Sequence, residues 1–196
     1  RRAPSAVKNY ARRHPHSMGV WKPDSRTSVA TMGADDFRSN EQSVVLPADD
    51  TLTIRHIAQD GTTTPLRGAL KVLAGEVVDA TVMRVASLEA FLAEQVARAK
   101  AEDVLFSVHL KATMMKVSDP IIFGHVVRAF FPQVFATYGA DLAAAGLSPN
   151  NGLGAILDGL AELPNGVEIR AAFEQGLADG PQLAMVNSDK AITNLH

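Results

Sequence analysis

The stretch Leu105–Pro120, "LFSVHLKATMMKVSDP", decides how the chain is read. Val104, Phe106, Val108 and Leu110 recur at period two on one face, and Leu105, Ser107, His109 and Lys111 recur on the other. That alternation in a run of strand-forming residues predicts a buried strand that ends on a lysine. No Asp or Glu lies between Val104 and Ser118, so Lys111 has no obvious local partner. An ammonium at the end of a buried strand is costly unless something neutralises it. A carboxylate from elsewhere in the chain would serve, and so would an anionic ligand, since open α/β sheets bind ligands at strand ends. A plain alternative stays open, in which the stem of Lys111 lines the strand and its head reaches water.

Working outward from that strand, "SDP" at Ser118–Pro120 supplies a helix start, with Ser118 or Asp119 as cap and Pro120 in the first helical position. The next run, "IIFGHVVRAFFPQVFATYG", is apolar nearly all round. A buried helix kinked or broken at Pro132 and closed by Gly139 is expected. Before the strand, Ser87 is positioned to cap a helix whose buried stripe is Leu88, Phe91, Leu92, Gln95 and Val96. Further upstream "SVVLPA", "TLTIRHIA", "TTTPLRGALKVL" and "EVVDATVM" read as extended, and Asp60-Gly61 between two of them signals a hairpin. After Gly139, "NGLGAILDGLAEL" and "EIRAAFEQGLAD" read as helices, and "PQLAMV" as a strand. The fold class is therefore α/β: a mixed sheet with flanking helices and an antiparallel hairpin in the N-terminal half. Residues 1–42 form a basic segment with one short helix and irregular surface structure, and residues 43–196 form the α/β portion.

Composition narrows the function classes. The 196 residues are 46% hydrophobic and 20% charged, with 19 Lys and Arg against 21 Asp and Glu, so a nucleic-acid or membrane partner is not expected. Only Arg1 to Arg26 is locally basic. The absence of cysteine excludes disulfides, thiolate metal sites and a Cys nucleophile, and the cytoplasm is the expected location. Polar, abrupt ends at "RRAP" and "ITNLH" lead us to expect a piece of a longer chain.

Several candidate sites weigh against bland readings. His14 and His16 beside Arg12 and Arg13 mimic a metal-ligand pair, but with no acidic neighbours a solvated surface fits better. His109 and His125 read as satisfied core or supporting groups, with His109 placed to tune Lys111. "PNNGLGAIL" carries Gly152 and Gly154 of a nucleotide loop, yet Leu157 stands where the third glycine belongs, so it reads as a turn and helix start. "VNSDKAITNLH", Val186 to His196, is either a polar turn or part of a site. A Schiff-base lysine enzyme is the remaining reading of Lys111.

"RRAPSAVKNYARRHPHSMG", "VLFSVHLKATMMKVSDPIIFGH", "PNNGLG" and "LAMVNSDKAITNLH" together resemble consecutive blocks of the monomeric class of NADP-dependent isocitrate dehydrogenase, in one register from end to end. The resemblance implies an isocitrate/isopropylmalate-dehydrogenase-like substrate domain, of which this would be the first part. It implies that Arg1 binds a carboxylate of isocitrate. It also implies that Lys111 contacts substrate and takes part in proton transfer. The cofactors implied are NADP and Mg or Mn. The family's metal-binding aspartates and proton-delivering tyrosine would lie beyond His196, its substrate-binding serine and asparagine before Arg1, and its NADP contacts in a separate domain. The expected partners are isocitrate and the remaining domains of the longer chain, and the 196 residues alone are expected not to turn over. A non-catalytic anion-binding or interaction module of the same fold is the alternative.

Overall fold

Pro132 divides the long apolar run as expected. In the structure, a computed structural model that describes residues 4–17, 19–110 and 114–183, α3 (Ser118–Phe130) stops at Phe131 and α4 (Pro132–Ala144) begins with the proline at its first position. The ring removes the N–H that would continue α3, whereas at a first helical position no N–H bond is needed. Phe131 takes the bend with φ −118° and ψ 53°. Gly139, by contrast, does not close α4. The helix runs five residues further and ends in a Schellman motif: Gly146, with φ +72°, donates to the Ala143 carbonyl at 3.0 Å, and Leu147 donates to Leu142 at 2.9 Å. The positive φ that such a closure requires falls on Gly146, so Gly139 is free to be an ordinary helical residue.

The other helices are α1 (Ser5–Arg13), α2 (Val85–Ala101), α5 (Gly152–Gly159) and α6 (Gly166–Asp179). The strands are β1 (Gln42–Val45), β2 (Asp50–Ile57), β3 (Thr63–Val72) and β4 (Val77–Ala80). They nest as one antiparallel arm: β2 pairs with β3 through the Asp60-Gly61 turn, and β1 pairs with β4 around them. Asp60 Oδ1 accepts from the Thr62 N–H at 2.9 Å, and Gly61 carries φ +85°. β3 is two residues longer than β2, and the surplus is absorbed in two register shifts beside Arg67, with Ala69 at φ 52°.

The mixed sheet is reduced among the described residues to one parallel bridge, Phe106 to Leu183, in which the Phe106 N–H donates to Gln182 O at 2.7 Å. The expected buried strand is thus a half-buried extended segment. Its period is as read: residues 104, 106, 108 and 110 are half-buried, and 105, 107 and 109 are exposed. What it lacks is a described ladder partner beyond Gln182 and Leu183; helices cover its inner face instead.

The main core lies between α3, α4, α5 and α6. Phe173, Ile156 and Ile169 are fully buried there, and Phe131 meets Phe173 edge-on at 5.0 Å between ring centroids. Each buried aromatic or branched side chain of this kind contributes about 1.5–3 kcal/mol. A second cluster joins α2 to α3 through Leu88, Leu92 and Val126, and Phe106 and Val108 pack against it from the extended segment. The α2 stripe is the one expected, with Leu88 and Leu92 buried and Phe91, Gln95 and Val96 half-buried.

Ser87 does not cap α2, which starts two residues earlier, after Arg84. In the first turn its Oγ donates instead to Asp35 Oδ2 at 2.7 Å, and the Arg84 N–H donates to Asp35 O at 3.0 Å. Asp35 therefore pins the irregular N-terminal segment to α2. α1 is exposed along its whole length, and no helix among the described residues is long and apolar enough to cross a membrane.

Candidate functional site

The inner face of residues 104–110 ends against a cleft. Val108 and Leu110 form one wall, Asp119, Pro120 and Phe123 of α3 a second, and Asn150, Asn151 and Gly152 a third, enclosing about 340 Å³. Each wall follows from local sequence. Alternation turns Val108 and Leu110 inward. Asp119 sits in the first turn of α3, where its N–H donates to Met115 O at 3.1 Å and its Oδ1 accepts from Ser118 Oγ at 3.3 Å. An acid there is favourable to the positive end of the helix dipole. The helix begins at Ser118 with Val117 before it, so Pro120 is the third helical residue instead of the first; it still falls where no intrahelical acceptor is needed.

The third wall is a single 3₁₀ turn, Pro149–Asn151, capped by Ser148, whose Oγ accepts from the Asn150 N–H at 3.2 Å. Gly152, at φ +87°, redirects the chain into α5. The turn reaches α3 because residue 124 is glycine: a Cβ there would overlap Asn150 Oδ1. "PNNGLGAIL" is therefore a turn and helix start, as read.

The cleft is chemically mixed. It offers one carboxylate and two amides against an apolar surface of Val108, Leu110, Pro120 and Phe123. Leu110 is the residue bonded to Lys111. Lys111 itself lies outside the described residues, as do Arg1 and the Val186–His196 segment.

The described histidines stand apart from the cleft. His109 is exposed, with Nε2 at 2.6 Å from Ser107 Oγ, so it is not a core group. His125 donates from Nδ1 to Glu89 Oε1 at 3.0 Å and ties α3 to α2, a satisfied pair. His14 stacks on Tyr10 at 4.4 Å, and both His14 and His16 are exposed. Among the described residues no group of three or more His, Cys, Asp or Glu is gathered so as to hold a metal ion. Asp119, Asn150 and Asn151 are cleft groups that the sequence presented only as cap and turn residues. The spacing carries no sign that they converge, because convergence depends on the Gly124 contact between α3 and the turn.

A family model described as "Monomeric isocitrate dehydrogenase" matches residues 1–196, the whole chain. The chain belongs to the monomeric isocitrate dehydrogenase family. Its relatives include the isocitrate dehydrogenase [NADP] of Corynebacterium glutamicum, 66% identical over 196 residues, that of Azotobacter vinelandii, 46% identical over 198, and isocitrate dehydrogenase [NADP] 2 of Mycobacterium tuberculosis, 41% identical over 198. In all three the match covers 100% of this chain and 27% of the relative. This member of the monomeric isocitrate dehydrogenase family thus spans about a quarter of the length of the relatives it matches.

Proposed function

We propose that this chain is a substrate-site segment of an NADP-dependent isocitrate dehydrogenase, which oxidises isocitrate and releases carbon dioxide to give 2-oxoglutarate. The observation that carries this reading is the 66% identity, over all 196 residues, to a relative named isocitrate dehydrogenase [NADP]. In this reading Arg1 and Lys111 are the groups that the segment contributes. The guanidinium fork of Arg1 suits a carboxylate in bidentate geometry. Lys111 follows directly on the apolar wall of Val108 and Leu110. An ammonium withdrawn from water is costly alone, and a tricarboxylate substrate offsets that cost. Held against the substrate oxygen, the lysine moves a proton as the hydroxyl carbon is oxidised and as the enolate left by decarboxylation is protonated.

NADP accepts the hydride in such a reaction, and Mg or Mn, held by groups outside this chain, stabilises charge on the substrate. The partners are isocitrate and the rest of the longer polypeptide, and the location is cytoplasmic. Because the segment carries only part of the machinery, the 196 residues alone are silent.

The test is isocitrate-dependent NADP reduction, with Mg or Mn, by a polypeptide of the relatives' full length that contains this segment. Lys111→Met lowers the rate by about 10²- to 10⁴-fold, the range of a lost general acid or base. The isolated segment shows no turnover. A Lys111→Met rate equal to that of the unsubstituted chain would remove the lysine from the mechanism.

A further inference from the structure

Alternation divides the arm into two unlike faces. Leu52 stands opposite Leu70 and Asp50 opposite Val72, and Ile54 lies two positions further along β2, so Leu52, Ile54, Leu70 and Val72 share one face. Thr51 stands opposite Lys71, and together with Thr53 and Arg55 they make up the other face. An antiparallel pair with one aliphatic and one polar face is patterned to have the first covered. Here the cover reaches only the base, where Val72 is buried; Leu52 is half-buried, Leu70 is 37% exposed and Ile54 51%. Neither hydrophobic cluster among the described residues takes in a residue of the arm. A two-stranded ribbon alone in water is marginal, and packing against its apolar face is what stabilises it.

We propose that the face formed by Leu52, Ile54 and Leu70 is an interaction surface, and that its occupant is an apolar surface of the same polypeptide outside residues 1–196. The inference rests on the reading of this chain as a segment of a longer enzyme, and it names the surface through which the segment is seated there. Two observations select that occupant. The chain amounts to 27% of the length of its relatives, so most of such a polypeptide is available to supply the cover. The family is described as monomeric, which sets a second copy aside. The chemistry of the arm agrees. Pro65 in β3 has no N–H to offer a new strand, and the two register shifts break the regular edge that a second copy would extend. The side-chain face is what remains for a partner. Its aliphatic stretch ends at Arg67, opposite Ile54, so the contact lies between the base of the arm and that residue.

The experiment is thiol labelling in a polypeptide of the relatives' full length that contains this segment, read by peptide mass. The 196 residues hold no cysteine, so Leu70→Cys and Lys71→Cys place one reporter on each face of β3. Leu70→Cys labels about tenfold or more slowly than Lys71→Cys, because its label waits for a local opening. The two rates become equal in urea, and the protection is the same on dilution. Equal rates in the folded polypeptide overturn the proposal. Protection that falls on dilution overturns it as well, since the cover is then a second copy. Ile54→Cys and Arg55→Cys repeat the comparison on β2 and decide the matter if Leu70→Cys does not fold. Labelling requires no turnover, so the two readings fail separately. A protected Leu70→Cys in a polypeptide that does not oxidise isocitrate removes the function proposed above and keeps the interface, whereas equal rates in an active polypeptide remove the interface alone.

Discussion

The side chain of Asn150 fills the space that a Cβ on residue 124 would take, so that the turn at Pro149–Asn151 rests directly on the backbone of α3. Besides the overlap with Oδ1, that Cβ would stand 3.2 Å from the Asn150 backbone nitrogen, so the clash is not relieved by a side-chain rotation alone.

Gly124→Ala and Gly139→Ala should therefore move stability in opposite directions. Both glycines are inside helices, where alanine is favoured by about 1 kcal/mol. At Gly139 the nearest heavy atom to an added Cβ is Phe135 Cβ at 4.0 Å, so the helical gain is kept. At Gly124 the turn is pushed off α3, a strain of about 1–3 kcal/mol that outweighs the gain. Urea unfolding of the two variants reads the signs, and equal shifts in one direction would contradict the packing described.

Phe173 makes a second test, placed in the core away from the cleft. It is 0% exposed and meets Phe131 and Phe135 edge-on at 5.0 and 6.1 Å. Phe173→Ala should cost about 3–5 kcal/mol. Val167→Ala on the same helix, at a residue 87% exposed, should stay within about 0.5 kcal/mol. The unfolding midpoints give both numbers, and a mild Phe173→Ala would mean that α6 is not seated as described.

The arm carries two opposed acid responses. At its base, a hydrogen bond to Asp79 and the repulsion of that second carboxylate raise the pKa of Glu41. A carboxyl raised on folding contributes stability that is full below its unfolded pKa and is lost as pH rises through the folded one. At its tip, the N–H and hydroxyl of Thr62 hold Asp60 below its ordinary value, so its contribution is present above the unfolded pKa and is lost as pH falls through the folded one. Thermal unfolding across the acid range should show Asp79→Asn gaining on the unsubstituted chain as pH rises past the usual glutamate value. Asp60→Asn should lose its relative deficit as pH falls below the usual aspartate value. Parallel curves for all three chains would contradict the pairings.

Local chemistry made much of this fold legible. Pro132 marked the helix break, Asp60-Gly61 the hairpin, and the spacing of Leu88, Phe91, Leu92, Gln95 and Val96 the buried face of α2. Each of those signals acts within a few residues. Errors arose where a remote partner competed with the local rule: Ser87 had a suitable cap position but is engaged by Asp35, and Gly139 had the right residue type but not the φ that Gly146 supplies. The period-two run up to Leu110 was read correctly as extended and too generously as a strand, because alternation reports which face is covered and not whether a ladder exists. Of the candidate site, the inward direction of Leu110 was legible. The meeting of Asp119 with Asn150 was not, since it depends on a glycine contact between segments 26 residues apart in sequence.

The nested arm has a consequence in time. β2 and β3 are exposed along nearly their whole length, and among the described residues each has the other as its one ladder partner. Nothing in the helical core must loosen for that ribbon to part. Its backbone amides can trade hydrogen for deuterium through brief local openings, while those of α4 and α6 wait for the core itself to come apart. One continuous chain thus keeps two clocks, a fast one in the arm and a slow one beneath the cleft.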